Sequence, residues 1–205
     1  MAEAKAAGRR KNRPSPRQRL LDSATELFST QGIRVIGIDR ILREADVAKA
    51  SLYSLFGSKD ALVIAYLEEL DRKWRDAYSK RTEEMLSPEE KILAFFDQYI
   101  EQELQRGFRG SLFLNAANEY PCPESTSEHG ILEAVIRHRS WMVDEMTTLL
   151  ELKNGYPGST QAQQLMIYLD GGLAGGVINR DVSSLHTARA LAVQLLSEPP
   201  ADYSI

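Results

Sequence analysis

The chain has 205 residues, 43% of them apolar, and a single cysteine, Cys122. That content supports a real core in one large domain or two small ones, and it excludes an internal disulfide framework or an all-cysteine zinc site. The net charge of -4 is an average over two unlike parts: residues 1–60 hold 12 Lys/Arg against 7 Asp/Glu, and residues 61–205 hold 13 against 22.

Met1–Pro16 reads as a disordered basic arm, with Lys5, Arg9, Arg10, Lys11 and Arg13 against Glu3 alone. It lacks the apolar segment of a secretory leader. No apolar run in the chain approaches the roughly 18 residues that span a bilayer. The expectation is a soluble, reduced, cytoplasmic protein with no membrane partner. A cationic arm on an acidic chain suits a polyanion, and it equally suits a solvated tail.

Sustained period-2 alternation is missing, so strands have no support, whereas helical spacing runs throughout. Leu20, Leu21, Ala24, Leu27 and Phe28 make one face, closed by Gly32. Ile38, Ile41, Leu42 and Ala45 follow over barely two turns, and Leu52, Tyr53 and Phe56 mark a third short helix. Ser58 caps a long helix running to about Met85. Ser87-Pro88-Glu89-Glu90 opens the next, which stops near Gly107. A short apolar segment from Leu112 to Ala117 ends at Tyr120-Pro121-Cys122-Pro123. Ser125 with Glu128 starts a helix ending at Gly155 and Pro157. Thr160 with Gln163 starts another, and Ser183 or Ser184 caps the last. The fold class is therefore all-α, with about nine helices.

The two short helices joined at Asp46-Val47-Ala48 have the dimensions of a helix-turn-helix, whose second helix enters the DNA major groove. Ile38, Ile41, Ala45, Val47, Leu52 and Phe56 would lock the pair together, leaving Lys49, Ala50, Ser51 and Ser54 outward. Periodicity alone does not separate a DNA reader from a packing module.

Residues Arg19 to about Leu67 resemble the DNA-binding domain of the tetracycline-repressor (TetR) family of bacterial transcription factors. The resemblance rests on Ala24, Leu27, Phe28, Gly32, Ile38, Ile41, Ala45, Val47, Leu52, Tyr53, Phe56, Ser58, Lys59 and Leu62. It implies a three-helix DNA-binding head over residues 17–63 and a ligand-binding and dimerisation domain over 64–205, after an arm of residues 1–16. It implies base-edge contacts from Lys49, Ala50 and Ser51, and phosphate contacts from Tyr53, Lys59 and Arg17. Gly37 stands where a threonine commonly bonds a phosphate, so only its N–H is offered there. Asp46 replaces the usual turn glycine, and aspartate tolerates the left-handed conformation. Ala48 replaces a capping hydroxyl, which costs about 1 kcal/mol.

One recognition helix supplies few base contacts, each discriminating by about 1–3 kcal/mol, so the protein is expected to act as a homodimer on a palindromic operator. Gly171, Gly172, Gly175 and Gly176 lie in one helix, where each costs about 1 kcal/mol against alanine. They permit close backbone approach, within a subunit or at a dimer interface, and the resemblance favours the interface.

The resemblance further implies an effector cavity, for which Phe96, Tyr99, Phe113, Asn115, Asn118, Trp141, Met142 and Tyr168 are the candidates. Repression relieved by a small-molecule effector is the leading reading. An all-α enzyme or carrier, or an effector-independent regulator, are the alternatives. His129, His138 and His186 are too scattered for a metal site, no phosphate loop or nucleophile elbow is present, and no cofactor or catalytic role is expected.

Overall fold

Capping groups set the ends of most helices in the computed structural model, which describes residues 13–197. Among the described residues there are nine helices and no strand, as the periodicity predicts. They are α1 (Pro16–Gln31), α2 (Ile38–Ala45), α3 (Lys49–Phe56), α4 (Lys59–Thr82) and α5 (Pro88–Arg106), followed by α6 (Leu112–Glu119), α7 (Thr126–Asn154), α8 (Ser159–Asn179) and α9 (Ser183–Ser197). Lys5, Arg9, Arg10 and Lys11 of the basic arm lie outside the described residues. The end of the arm already belongs to a helix start, because Ser15 accepts the Gln18 N–H and Pro16 opens α1.

Ser58, Ser87 and Ser125 accept the N–H groups of Ala61, Glu90 and Glu128, each satisfying one orphan donor of its helix. Gly107 and Gly155 end α5 and α7 in the left-handed conformation. Two starts differ from expectation. Thr160 lies inside the first turn of α8, whose N-cap is Gly158 with no side-chain bond. At α9, Ser183 is already helical, and the Asp181 carboxylate takes both its N–H and its hydroxyl. A carboxylate suits the positive end of a helix better than a serine hydroxyl does.

Two apolar cores form. One joins α1, α2 and α3 to the first two turns of α4, to Phe113, Ala116 and Tyr120 around α6, and to Ile131 and Ala134 of α7. Within it, Phe28 meets Tyr66 edge-on at 5.4 Å. The other holds the far half of α4 with α5, α7, α8 and α9. There Trp74 stacks on Tyr78 and Phe95, with ring centres 5.9 and 5.5 Å away. Helix α4 thus contributes Tyr66 and Leu67 to the first core and Trp74 and Tyr78 to the second.

Candidate nucleic-acid interface and effector cavity

The turn of the helix-turn-helix is made by Asp46, in the left-handed conformation at φ 50 and ψ 57. Arg19 fastens it, its guanidinium donating to the carbonyls of Ala45 at 2.9 Å and Asp46 at 2.8 Å. The carboxylate of Asp46 pairs with Arg13. Sequence reasoning gave Arg19 no such task, because a side chain reaching 26 residues ahead leaves no local periodic trace. Ala48 heads α3 with no side-chain cap, as its methyl dictates.

Leu52 is fully buried under α3, so the opposite face is free. Lys49, Ala50 and Ser54 are exposed and Ser51 is half-buried. The Lys49 ammonium lies 3.7 Å from the Asp39 carboxylate, an exposed pair that a polyanion can outcompete. Tyr53 is 46% exposed beside this face. The Arg17 guanidinium sits 5.1 Å over the Phe56 ring, which steadies it at the edge of the head. Gly37 is the exposed N-cap of α2. Lys59 is placed differently from a free surface lysine: its ammonium donates to the Ile33 carbonyl at 2.8 Å, and burial holds its pKa below the usual lysine range.

The same loop between α1 and α2 is held from the body. The Glu119 carboxylate accepts the backbone N–H groups of Ile33 at 2.9 Å and Arg34 at 2.6 Å. Gly32 makes this approach possible, since at φ +101 it needs no side chain and a Cβ would lie 3.1 Å from Glu119 Oε1. Arg34 adds an ion pair to Glu128 and lies over the Tyr120 ring. Arg109 donates to the Ser29 carbonyl.

Between α5, α6, α7 and α8 lies a cavity of about 350 Å³, with Phe113, Leu114, Met142, Met166 and Leu169 among its apolar walls. Its polar groups are Tyr99, Ser111, His138 and an Arg139–Asp170 ion pair made through two hydrogen bonds of 3.1 and 2.7 Å. Burial pushes the Tyr99 hydroxyl up to about 12, so it stays a neutral phenol. A second cavity of about 240 Å³ lies toward α4 and shares Tyr99 and Phe113 with the first.

Three comparisons agree on what this architecture is. Residues 20–66 match the family described as bacterial regulatory proteins, tetR family. SCO4454, a TetR-family transcriptional regulator from Streptomyces coelicolor, superposes with a TM-score of 0.79 at 33% identity, over 88% of this chain and 94% of that one. This chain belongs to the TetR family. The HTH-type transcriptional regulator YjdC of Escherichia coli is 26% identical over 88% of this chain and 93% of its own. Reduced NemR from Escherichia coli shares the fold, with a TM-score of 0.79 at 22% identity over 91% and 99% of the two chains.

Like its TetR relatives, the chain is a DNA-binding transcriptional regulator. Among the described residues no helix is long and apolar enough to cross a membrane, and no group of metal-ligating side chains forms.

Several side chains expected from sequence to line an effector cavity sit away from this one. Tyr99, Phe113 and Met142 line it. Phe96 is wholly buried in the body core instead, and Tyr168 packs on the outside of that core. Trp141 joins the aromatic cluster of Trp74, Tyr78 and Phe95. Asn115 spends its amide on the Arg109 carbonyl, and Asn118 is exposed near Cys122. His138, Arg139 and Asp170, absent from that expectation, line this cavity as well. An i, i+3, i+4 pattern tells which side chains are buried, but not which of them border a void.

The four glycines of α8 differ in what surrounds them. Three of them serve packing within the chain: a Cβ at Gly172 would meet Ala188 at 2.9 Å, one at Gly175 would meet Ser184 at 2.3 Å, and one at Gly176 would meet the Asp181 carbonyl at 3.1 Å. All three neighbours lie on or just before α9 of the same chain. Only at Gly171, of these four, is there open space.

Proposed function

We propose that this TetR-family regulator is a homodimeric, cytoplasmic repressor without catalytic activity, released from a palindromic operator when a small molecule fills the cavity between α5 and α8. The observation that carries this reading is the double duty of α6. Phe113, Leu114 and Ala117 line the cavity, and Glu119, at the end of the same two-turn helix, grips the loop of the DNA head. A ligand that fits only one placement of α6 therefore favours one placement of the head, and its leverage equals its difference in affinity for the two.

In this reading residues 17–63 form the head and 64–205 the ligand-binding and dimerisation body. Lys49, Ala50, Ser51 and Ser54 face base edges. Tyr53, Arg17, the Gly37 N–H and Lys59 meet phosphates, with Lys59 also holding Ile33. The dimer forms through the outer face of α8 and α9, where Ile167 and Ile178 are 64% and 79% exposed on the same side as Gly171 and Ala174. Apolar side chains at that spacing pay a solvation penalty unless a second copy covers them.

Selection of bound sequences from a random duplex pool tests the reading. A two-fold symmetric consensus is expected, with its half-site spacing set by the separation of two heads. An asymmetric consensus, or none, overturns it.

A further inference from the structure

His138 is 97% withdrawn from solvent by its neighbours, with a relative exposure of 3%, yet only one of its ring nitrogens is satisfied. Nδ1 lies 2.7 Å from the Asp71 carboxylate, which also takes a hydrogen bond from Arg75. An ionised carboxylate can only accept, so Nδ1 carries the proton and donates. Nε2 has no partner. A second proton there would sit unpaired among Phe113, Trp74 and Trp141, the rings that pack around the imidazole. The ring is therefore neutral, in line with a pKa pushed down by burial against the pull of Asp71. Nε2 is a free acceptor in a residue that lines the cavity.

Phe113 lies flat on this imidazole, ring centres 3.7 Å apart and planes within 8°. Like Tyr99 it lines both cavities, so these two rings stand between them. Trp74, on the wall of the second cavity, has a buried indole N–H that likewise meets no partner among the described residues. Its ring centre is 5.6 Å from that of His138. The walls thus hold one unused acceptor, His138 Nε2, and two unused donors, the Trp74 indole N–H and the Arg106 Nε–H, around the Phe113 ring. A hydroxyl is the simplest group that meets both needs, donating to the acceptor and accepting from a donor.

The charges on the walls cancel. Arg139 is paired with Asp170, Arg106 with Glu103, and Lys73 with Glu69. A charged ligand would have to break one of these pairs or remain unpaired in an apolar space.

We propose that the cavity takes a neutral, mainly apolar molecule bearing a hydroxyl group, which displaces Phe113 and donates a hydrogen bond to His138 Nε2. This deepens the effector reading of the cavity and rests on it. His138 is the residue that selects the ligand class, and Phe113 is the element whose displacement reports occupancy to α6.

Calorimetric titration of the full-length protein with three probes of one shape tests the proposal: 4-phenylphenol, biphenyl and biphenyl-4-carboxylate. The expected result is saturable binding of 4-phenylphenol, about five- to tenfold tighter than either of the others, the worth of one net hydrogen bond. His138→Leu erases that preference. Phe113→Leu keeps the preference and tightens binding. Absence of saturable 4-phenylphenol binding, equal affinity for the three probes, or a preference that survives His138→Leu overturns the proposal. If His138→Leu does not fold, Phe113→Trp decides: a bulkier ring there must abolish binding, and unchanged binding overturns the proposal. A His138-dependent preference with no change in DNA affinity leaves this assignment standing and overturns the effector reading. DNA release by a ligand indifferent to His138 does the reverse.

Discussion

Glu119, at the end of α6, accepts the backbone N–H of Arg34 at 2.6 Å, a hydrogen bond between residues 85 apart in the chain. Together with its bond to Ile33, it ties the loop that positions α2 and α3 to the helix that borders the cavity.

Glu119→Ala should therefore act at a distance. Hydrogen bonds to a charged group are worth about 1.5–3 kcal/mol each, less where solvent reaches them. The expectation is a loss of about 2 kcal/mol in urea unfolding, with faster amide exchange at Ile33 and Arg34. Unchanged exchange at both amides would show that the bridge does not hold the loop.

Lys49 and Lys59 should fail differently. Lys49→Ala removes an exposed ammonium from the face of α3 proposed to read bases, so it is expected to relax sequence choice with little loss of stability. Lys59→Ala should weaken binding to all duplexes alike, lower the salt slope by about one, and leave the Ile33 carbonyl without its partner. Salt titrations on specific and random duplexes, with unfolding curves alongside, separate the two.

Alanine at two neighbouring glycines should have opposite effects. Gly171→Ala enters open space and gains helix propensity, about 1 kcal/mol at most. Gly175→Ala gains the same propensity but drives a Cβ to 2.6 Å from Ser184 Cβ, an atom fixed to the backbone of α9. A net loss of about 1–3 kcal/mol is expected from overpacking. Ile167→Glu, on the exposed side of α8, should leave the fold intact and yield monomers in sedimentation analysis, with much weaker operator binding.

The buried imidazole gives stability a signature in mild acid. Burial lowers the folded-state pKa of His138, so the unfolded chain takes up its proton first as pH falls. The contribution is fully present above the ordinary imidazole pKa near 6.5 and is lost progressively below it, by at most about 1.4 kcal/mol per pH unit. Asp71, whose pKa is lowered by His138 and Arg75 against its own burial, adds a further loss only in the carboxylate range. Urea midpoints measured from pH 7.5 to 5 should fall for the wild type and stay flatter for His138→Gln.

Much of this architecture was legible in the sequence because its signals are local. Ser58, Ser87 and Ser125 each cap within three residues, and Gly107 and Gly155 announce a left-handed stop one residue beyond the helix. The turn at Asp46 was readable for the same reason. What was not legible depends on distance. Arg19 on the turn, Lys59 on Ile33 and Glu119 on Arg34 join residues 26 or more apart, and no spacing rule encodes them. Asn115 on an apolar helix looked like a ligand group, but its partner is a carbonyl six residues earlier. A run of small residues says that two backbones come close, without saying whose. In α8 the nearer backbone is the chain's own α9.

Helix α4 is one uninterrupted rod of 24 residues whose two halves are soaked in different apolar clusters. Neither cluster can melt without stripping the other of rings it depends on, so heat should dissolve them in a single cooperative event. The same sharing complicates grafting. A head transplanted onto another regulator must carry the opening turns of that rod, and the surfaces of α6 and α7 that receive them, or it will arrive with Tyr66 uncovered.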